Sequence, residues 1–75
     1  MIRIVDLHEL TLAEAKIKLN DFMNTLASNV SEVVVIHGFH QGTILKTFVS
    51  KYQHPKIKQK LKTLNKGETI FLINI

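Results

Sequence analysis

The sequence predicts an α/β protein of the two-layer α+β kind, a single domain of 75 residues with the element order βαβαββ and a mixed four-stranded sheet. Three observations predict it. Apolar, β-branched runs stand at 2–7, 33–36 and 69–73, the composition favoured in strands. Between the first two, and again after the second, apolar residues recur at steps of three and four, the period of a helix. Finally, Ile57-Lys58-Gln59-Lys60-Leu61-Lys62 alternates with period two before the turn residues Asn65-Lys66-Gly67, which reads as a strand entering a hairpin.

The first strand, Ile2 to Leu7, ends in the polar group Asp6, His8 and Glu9. Thr11-Leu12-Ala13-Glu14 then has the form of a capping box, in which hydroxyl and carboxylate each accept from the other residue's amide. Leu12, Ala15, Leu19, Phe22 and Leu26 mark one apolar stripe along a helix expected to run to about Ser28. Val33-Val34-Val35-Ile36 is continuously apolar, as in an interior strand paired in parallel through a crossover helix. A second helix follows Gly42, with Ile44, Leu45, Phe48, Val49 and Tyr52 on its inner face and Pro55 beyond its end. His54, before that proline, is expected at the surface. In the alternating strand Ile57 and Leu61 are expected to face inward, leaving Lys58, Lys60 and Lys62 as a basic row on the other side. Two layers leave one sheet face bare, and the apolar character of 33–36 and 70–73 on both faces makes that bare face partly hydrophobic. It could meet a second copy or stacked bases.

Composition narrows the chemistry. The chain has no cysteine, so disulfides, thiolate metal sites and a cysteine nucleophile are excluded. An acid at position 6 interrupts any signal-like start, and no apolar run is long enough to cross a bilayer, so a cytoplasmic protein without a membrane partner is expected. Net charge is +4, unevenly placed. Residues 1–40 carry three basic and five acidic side chains, whereas 41–75 carry seven lysines against Glu68. A basic half suggests a polyanion such as nucleic acid; it also serves solubility.

Two segments can carry chemistry. Asp6 and His8 lie two apart at a strand end, where a carboxylate can orient an imidazole for general base work or share a divalent ion with it. His37-Gly38-Phe39-His40-Gln41-Gly42 joins a strand to a helix, so its amides, with Lys46 one turn in, can face a phosphate. Read plainly, the first is a polar strand end and the second an ordinary loop using glycine for backbone geometry. Parallel neighbouring strands would bring His8 and His37 to one edge of the sheet.

Val5-Asp6-Leu7-His8 before a capped helix, and Val33-Val34-Val35-Ile36-His37-Gly38 before a glycine loop, resemble the Smr (small MutS-related) domain, marked by an LDLHG-type segment and an HGxGxG-type loop. The likeness spans essentially the whole chain. It implies the βαβαββ sandwich similar to the C-terminal domain of translation initiation factor three, and a partner that is DNA or RNA. It also implies nicking or RNA cleavage dependent on Mg2+ or Mn2+. The family's acidic and histidine positions fall on Asp6 and His8, and its loop on His37, Gly38 and Gly42. Glu9 stands where the family usually has glycine, and His40 replaces the middle loop glycine.

The expected site therefore has Asp6, His8 and His37 as catalytic groups, with His37 as general acid or base. Gly38, His40, Gly42 and Lys46 would hold the phosphate, and Lys58, Lys60 and Lys62 the nucleic-acid backbone. The alternatives are a module that binds DNA or RNA without cutting it, and a dimerisation domain using the bare sheet face.

Overall fold

Residues 1–38 and 43–74 are described by a computed structural model, in which β1 (Ile2–Asp6), α1 (Leu12–Asn24), β2 (Glu32–Ile36), α2 (Ile44–Lys51), β3 (Ile57–Lys62) and β4 (Glu68–Ile73) follow in the expected order. The sheet order is β1-β2-β4-β3. β1 and β2 are parallel, as the crossover through α1 requires, while β4 runs antiparallel to both β2 and β3. The two helices pack on each other over one sheet face. Between the layers Val5, Leu19, Met23, Val35, Val49 and Phe71 lose nearly all contact with solvent.

α1 begins as expected: the Glu14 amide donates to Thr11 Oγ1 at 3.2 Å and the Thr11 amide donates to Glu14 Oε1 at 2.9 Å. It stops earlier than expected. Thr25 donates both its amide and its hydroxyl to the Asp21 carbonyl, and the chain turns there, so that Leu26 and Val30 close the core from beyond the helix end. Met23, outside the apolar stripe read from sequence, is fully buried, whereas Leu12 lies half out. In α2, Leu45 and Val49 face the core but Ile44 is 63% exposed. His54 is not a free surface residue: it is half-buried, bonded to Asn24 Oδ1 at 2.8 Å and stacked near Tyr52.

The expected basic row on β3 does not form. A register shift between Ile57 and Gln59 makes Lys58 an extra residue, and an extra residue reverses which face every later side chain takes. Ile57 pairs with buried Ile73, but Lys60 and Lys62 then pair with buried Phe71 and Thr69 and turn toward the helical side. Leu61, expected inside, pairs with Ile70 on the bare face. The Lys60 ammonium donates to the carbonyls of Ser50, at 2.8 Å, and Tyr52, and lies over the Phe71 ring. It thereby satisfies carbonyls left open where α2 ends. Desolvation in this setting lowers the Lys60 pKa.

The bare face is apolar, as expected. One row across the four strands reads Ile4, Val34, Ile70, Leu61, flanked by Ile2, Ile36 and Leu72. Ile4 is 62% exposed. Among the described residues no helix is long and apolar enough to cross a membrane.

Candidate functional site

Parallel pairing carries the C-terminal ends of β1 and β2 to one end of the sheet, where β4 begins and β3 ends. Asp6, Ile36 and Glu68 share one row across it. The starts of α1 and α2 lie at the same end, because each helix follows a strand that finishes there. This is where an open α/β sheet offers a crevice.

Beyond Asp6 the Leu7 amide donates to the Ile36 carbonyl at 2.7 Å, extending the pairing by one residue and burying Leu7. His8 then folds back on Asp6: its amide donates to Asp6 Oδ1 at 3.0 Å, and its Nδ1–H donates to the same oxygen. Lys18 from α1 donates to the Asp6 carbonyl at 2.8 Å. Partial burial works against the Asp6 carboxylate, but the His8 hydrogen bonds and the charges of His8 and Lys18 outweigh it and hold its pKa below 3.8. The His8 pKa is raised above 6.5 by the hydrogen bond to Asp6 and by its charge, with Glu9 adding to both. With Nδ1 engaged, Nε2 is the outward nitrogen, and Glu9 Oε2 lies 4.0 Å from it.

Backbone conformation explains why glycine suits both flanking positions. Glu9 has φ 68° and Gly38 has φ 72°, in the left-handed region that costs a residue with a Cβ about 1–2 kcal/mol. A Cβ on Gly38 would also stand 3.2 Å from His8 Cβ. Gly38 thus lets the second segment close on the first.

His37 is placed differently from the general acid–base position expected of it. It follows Ile36 and so turns to the helical face, where it is only 4% exposed. Nδ1 is 3.0 Å from the Gly38 carbonyl and Nε2 is 3.1 Å from Thr69 Oγ1. Both its amide and that of Gly38 donate to the Gly67 carbonyl. With both ring nitrogens taken up inside the protein, His37 fixes the strand end and the hairpin against each other. The two histidines reach the same sheet end, as expected, but present different faces.

A cleft of about 320 Å³ opens between α2 and the β3–β4 hairpin. Lys46 of α2, Lys62 of β3 and Lys66 of the hairpin turn line it, with Thr43, Thr69 and Glu68. Three ammonium groups against one carboxylate give a cationic surface. Lys46 and Lys62 were expected in such a role; Lys66 and Thr69 were not singled out, although Lys66 stands inside the Asn65-Lys66-Gly67 turn signal. Lys58 and Lys60 are not in this cleft. His40 and Gly42 lie outside the described residues. Among the described residues no three histidine, aspartate or glutamate side chains form a ligand set for a metal ion.

The Smr domain family matches residues 5–68. No curated protein matches the sequence. Among solved structures, the crystal structure of the Smr domain of Thermus thermophilus MutS2 superposes with a TM-score of 0.83 at 19% identity, covering 97% of this chain and 99% of that one. At that identity the likeness shows the fold.

Proposed function

We propose, from the premise that this chain belongs to the Smr domain family, that it binds DNA or RNA through backbone phosphates held in the cleft of Lys46, Lys62 and Lys66. The observation that carries this reading is the convergence of those three ammonium groups from three separate elements. Phosphate contacts of this kind give affinity without base preference, and affinity that falls steeply with salt. In binding measured against salt concentration, each of Lys46→Ala, Lys62→Ala and Lys66→Ala lowers the logarithmic slope by about 1. A slope that none of the three changes overturns the reading.

The dyad of Asp6 and His8 supports hydrolysis at the same sheet end. Asp6 keeps the His8 proton on Nδ1, leaving neutral Nε2 to take a proton from water as its oxygen attacks phosphorus. The ester P–O bond breaks and the proton passes to the leaving oxygen. Supercoiled plasmid and structured RNA, incubated with Mg2+ or Mn2+, test it beside Asp6→Ala and His8→Ala. Product lost in both folded variants supports a nuclease, whereas product absent or equal in all three leaves the non-cutting binding module.

The bare sheet face favours a second reading, self-association with another copy. Four strands spaced about 4.8 Å apart, each contributing about three outward residues, give a face of about 19 by 20 Å. A pair would bury about 800 Å² in total, below the about 1,200 Å² of stable interfaces. The expected dimer is therefore weak. Sedimentation equilibrium that finds Ile4→Asp and the parent equally monomeric at high concentration removes it.

A further inference from the structure

Ile44 stands at the first turn of α2, on the face that its spacing assigns to the core, yet it is 63% exposed. Leu12 is half out beside it at the start of α1. The two flank a groove of about 540 Å³ between the helices, floored by Phe48 and Tyr52 and rimmed by Lys16 and Lys51. Among the described residues no carboxylate lines it. An apolar floor between ammonium groups suits a ligand that carries flat apolar faces and negative charge together.

We propose that this groove takes the bases of unpaired nucleotides, so that the domain prefers single-stranded nucleic acid to duplex. The inference rests on the phosphate cleft proposed above and names its substrate class. Continuity supports it: Thr43 and Thr47, one helical turn apart, line both the groove and the cleft. A strand whose phosphates lie along Lys46, Lys62 and Lys66 reaches the groove by crossing α2 at that turn. Paired bases are stacked within a duplex and cannot offer their faces to Ile44, Leu12 and Phe48, whereas unpaired bases can. Lys16 and Lys51 then hold the phosphates that follow.

Fluorescence anisotropy with a short oligothymidylate and a duplex of equal length tests this in the intact chain. The parent binds the single strand about tenfold more tightly, within the range of one base stacked on an aromatic side chain such as Phe48. Ile44→Ser removes about that factor on the single strand and leaves duplex affinity unchanged, while Ile44→Leu restores it. Lys46→Ala weakens both forms equally. Because Ile44 is exposed, Ile44→Ser keeps the thermal midpoint, which checks the fold. Equal affinity of the parent for both forms, or a single-strand affinity that Ile44→Ser does not change, overturns the inference; a Lys46→Ala effect in the same assay leaves the phosphate cleft standing. No binding of either form at low salt overturns both. Tight binding of an acidic amphipathic peptide that Ile44→Ser abolishes, without single-strand preference, overturns the inference and gives the groove to a protein partner.

Discussion

His8 and His37 arrive at the same end of one sheet, two residues past Asp6 and one past Ile36, and their surroundings separate them. His37 turns inward, where Thr69 and the Gly38 carbonyl occupy its two nitrogens. His8 turns outward, where Asp6 occupies one nitrogen and leaves the other facing the solvent side. The difference teaches that residue type at a strand end does not assign chemistry; the partner on each nitrogen does. A histidine with both nitrogens satisfied inside the fold stabilises, and one held by a carboxylate at a single nitrogen can exchange protons.

The strongest way to break that contrast is to delete each ring. His37→Ala leaves a cavity and strips the Thr69 hydroxyl and Gly38 carbonyl of their partner, so urea unfolding is expected to show a loss of about 3 kcal/mol. His8→Ala is expected to leave the unfolding midpoint close to the parent's. Equal losses would erase the distinction. Next, Gly38→Ala sets a side chain in left-handed backbone 3.2 Å from His8 Cβ, at an expected cost of about 2 kcal/mol; no loss would mean that the two segments are not in close contact. Glu9→Gly acts in the opposite sense, relieving the same kind of strain at φ 68°. A gain of about 1 kcal/mol in the same measurement is expected.

The smallest effect sharpens the contrast without touching the backbone. In an NMR titration His8 is expected to lose its proton above pH 6.5, while His54, desolvated and beside Lys56, does so below it. Asp6→Asn returns His8 toward 6.5. The raised His8 pKa means that its contribution to stability is complete below pH 6.5 and fades as pH rises through the folded value. The lowered Asp6 pKa adds stability above pH 3.8 that is lost as pH falls through its folded value. The pair is therefore strongest between those limits, and a His8 midpoint at or below 6.5 would sever it.

Much of this was legible in the residues. The element order, the parallel pairing of β1 with β2, the capping box at Thr11 and the bare apolar face all follow from local pattern, because apolar period and cap chemistry act within a few residues. The family resemblance rested on residues around Asp6, His8, His37 and Gly38, and the family match bears it out. The burial of His37 was not legible, since its partner Thr69 lies 32 residues away. Nor was the turn of Lys60 and Lys62 toward the helices: the alternation of 57–62 is regular in sequence, and one unpaired residue at Lys58 reverses it without leaving a mark. Lys66 gained its place from the hairpin's packing against α2, which turn chemistry alone does not specify.

That same irregularity at Lys58 bears on how the sheet ends. β3 is an edge strand, and an edge with an unbroken ladder of free amides and carbonyls templates growth into aggregates. Here the ladder loses register between Ile57 and Gln59, and a lysine stands at the break. An incoming strand would meet mismatched donors and a positive charge on that side. β1, the opposite edge, runs without a break through Ile2, Arg3 and Ile4, so protection from fibrillar self-assembly is one-sided.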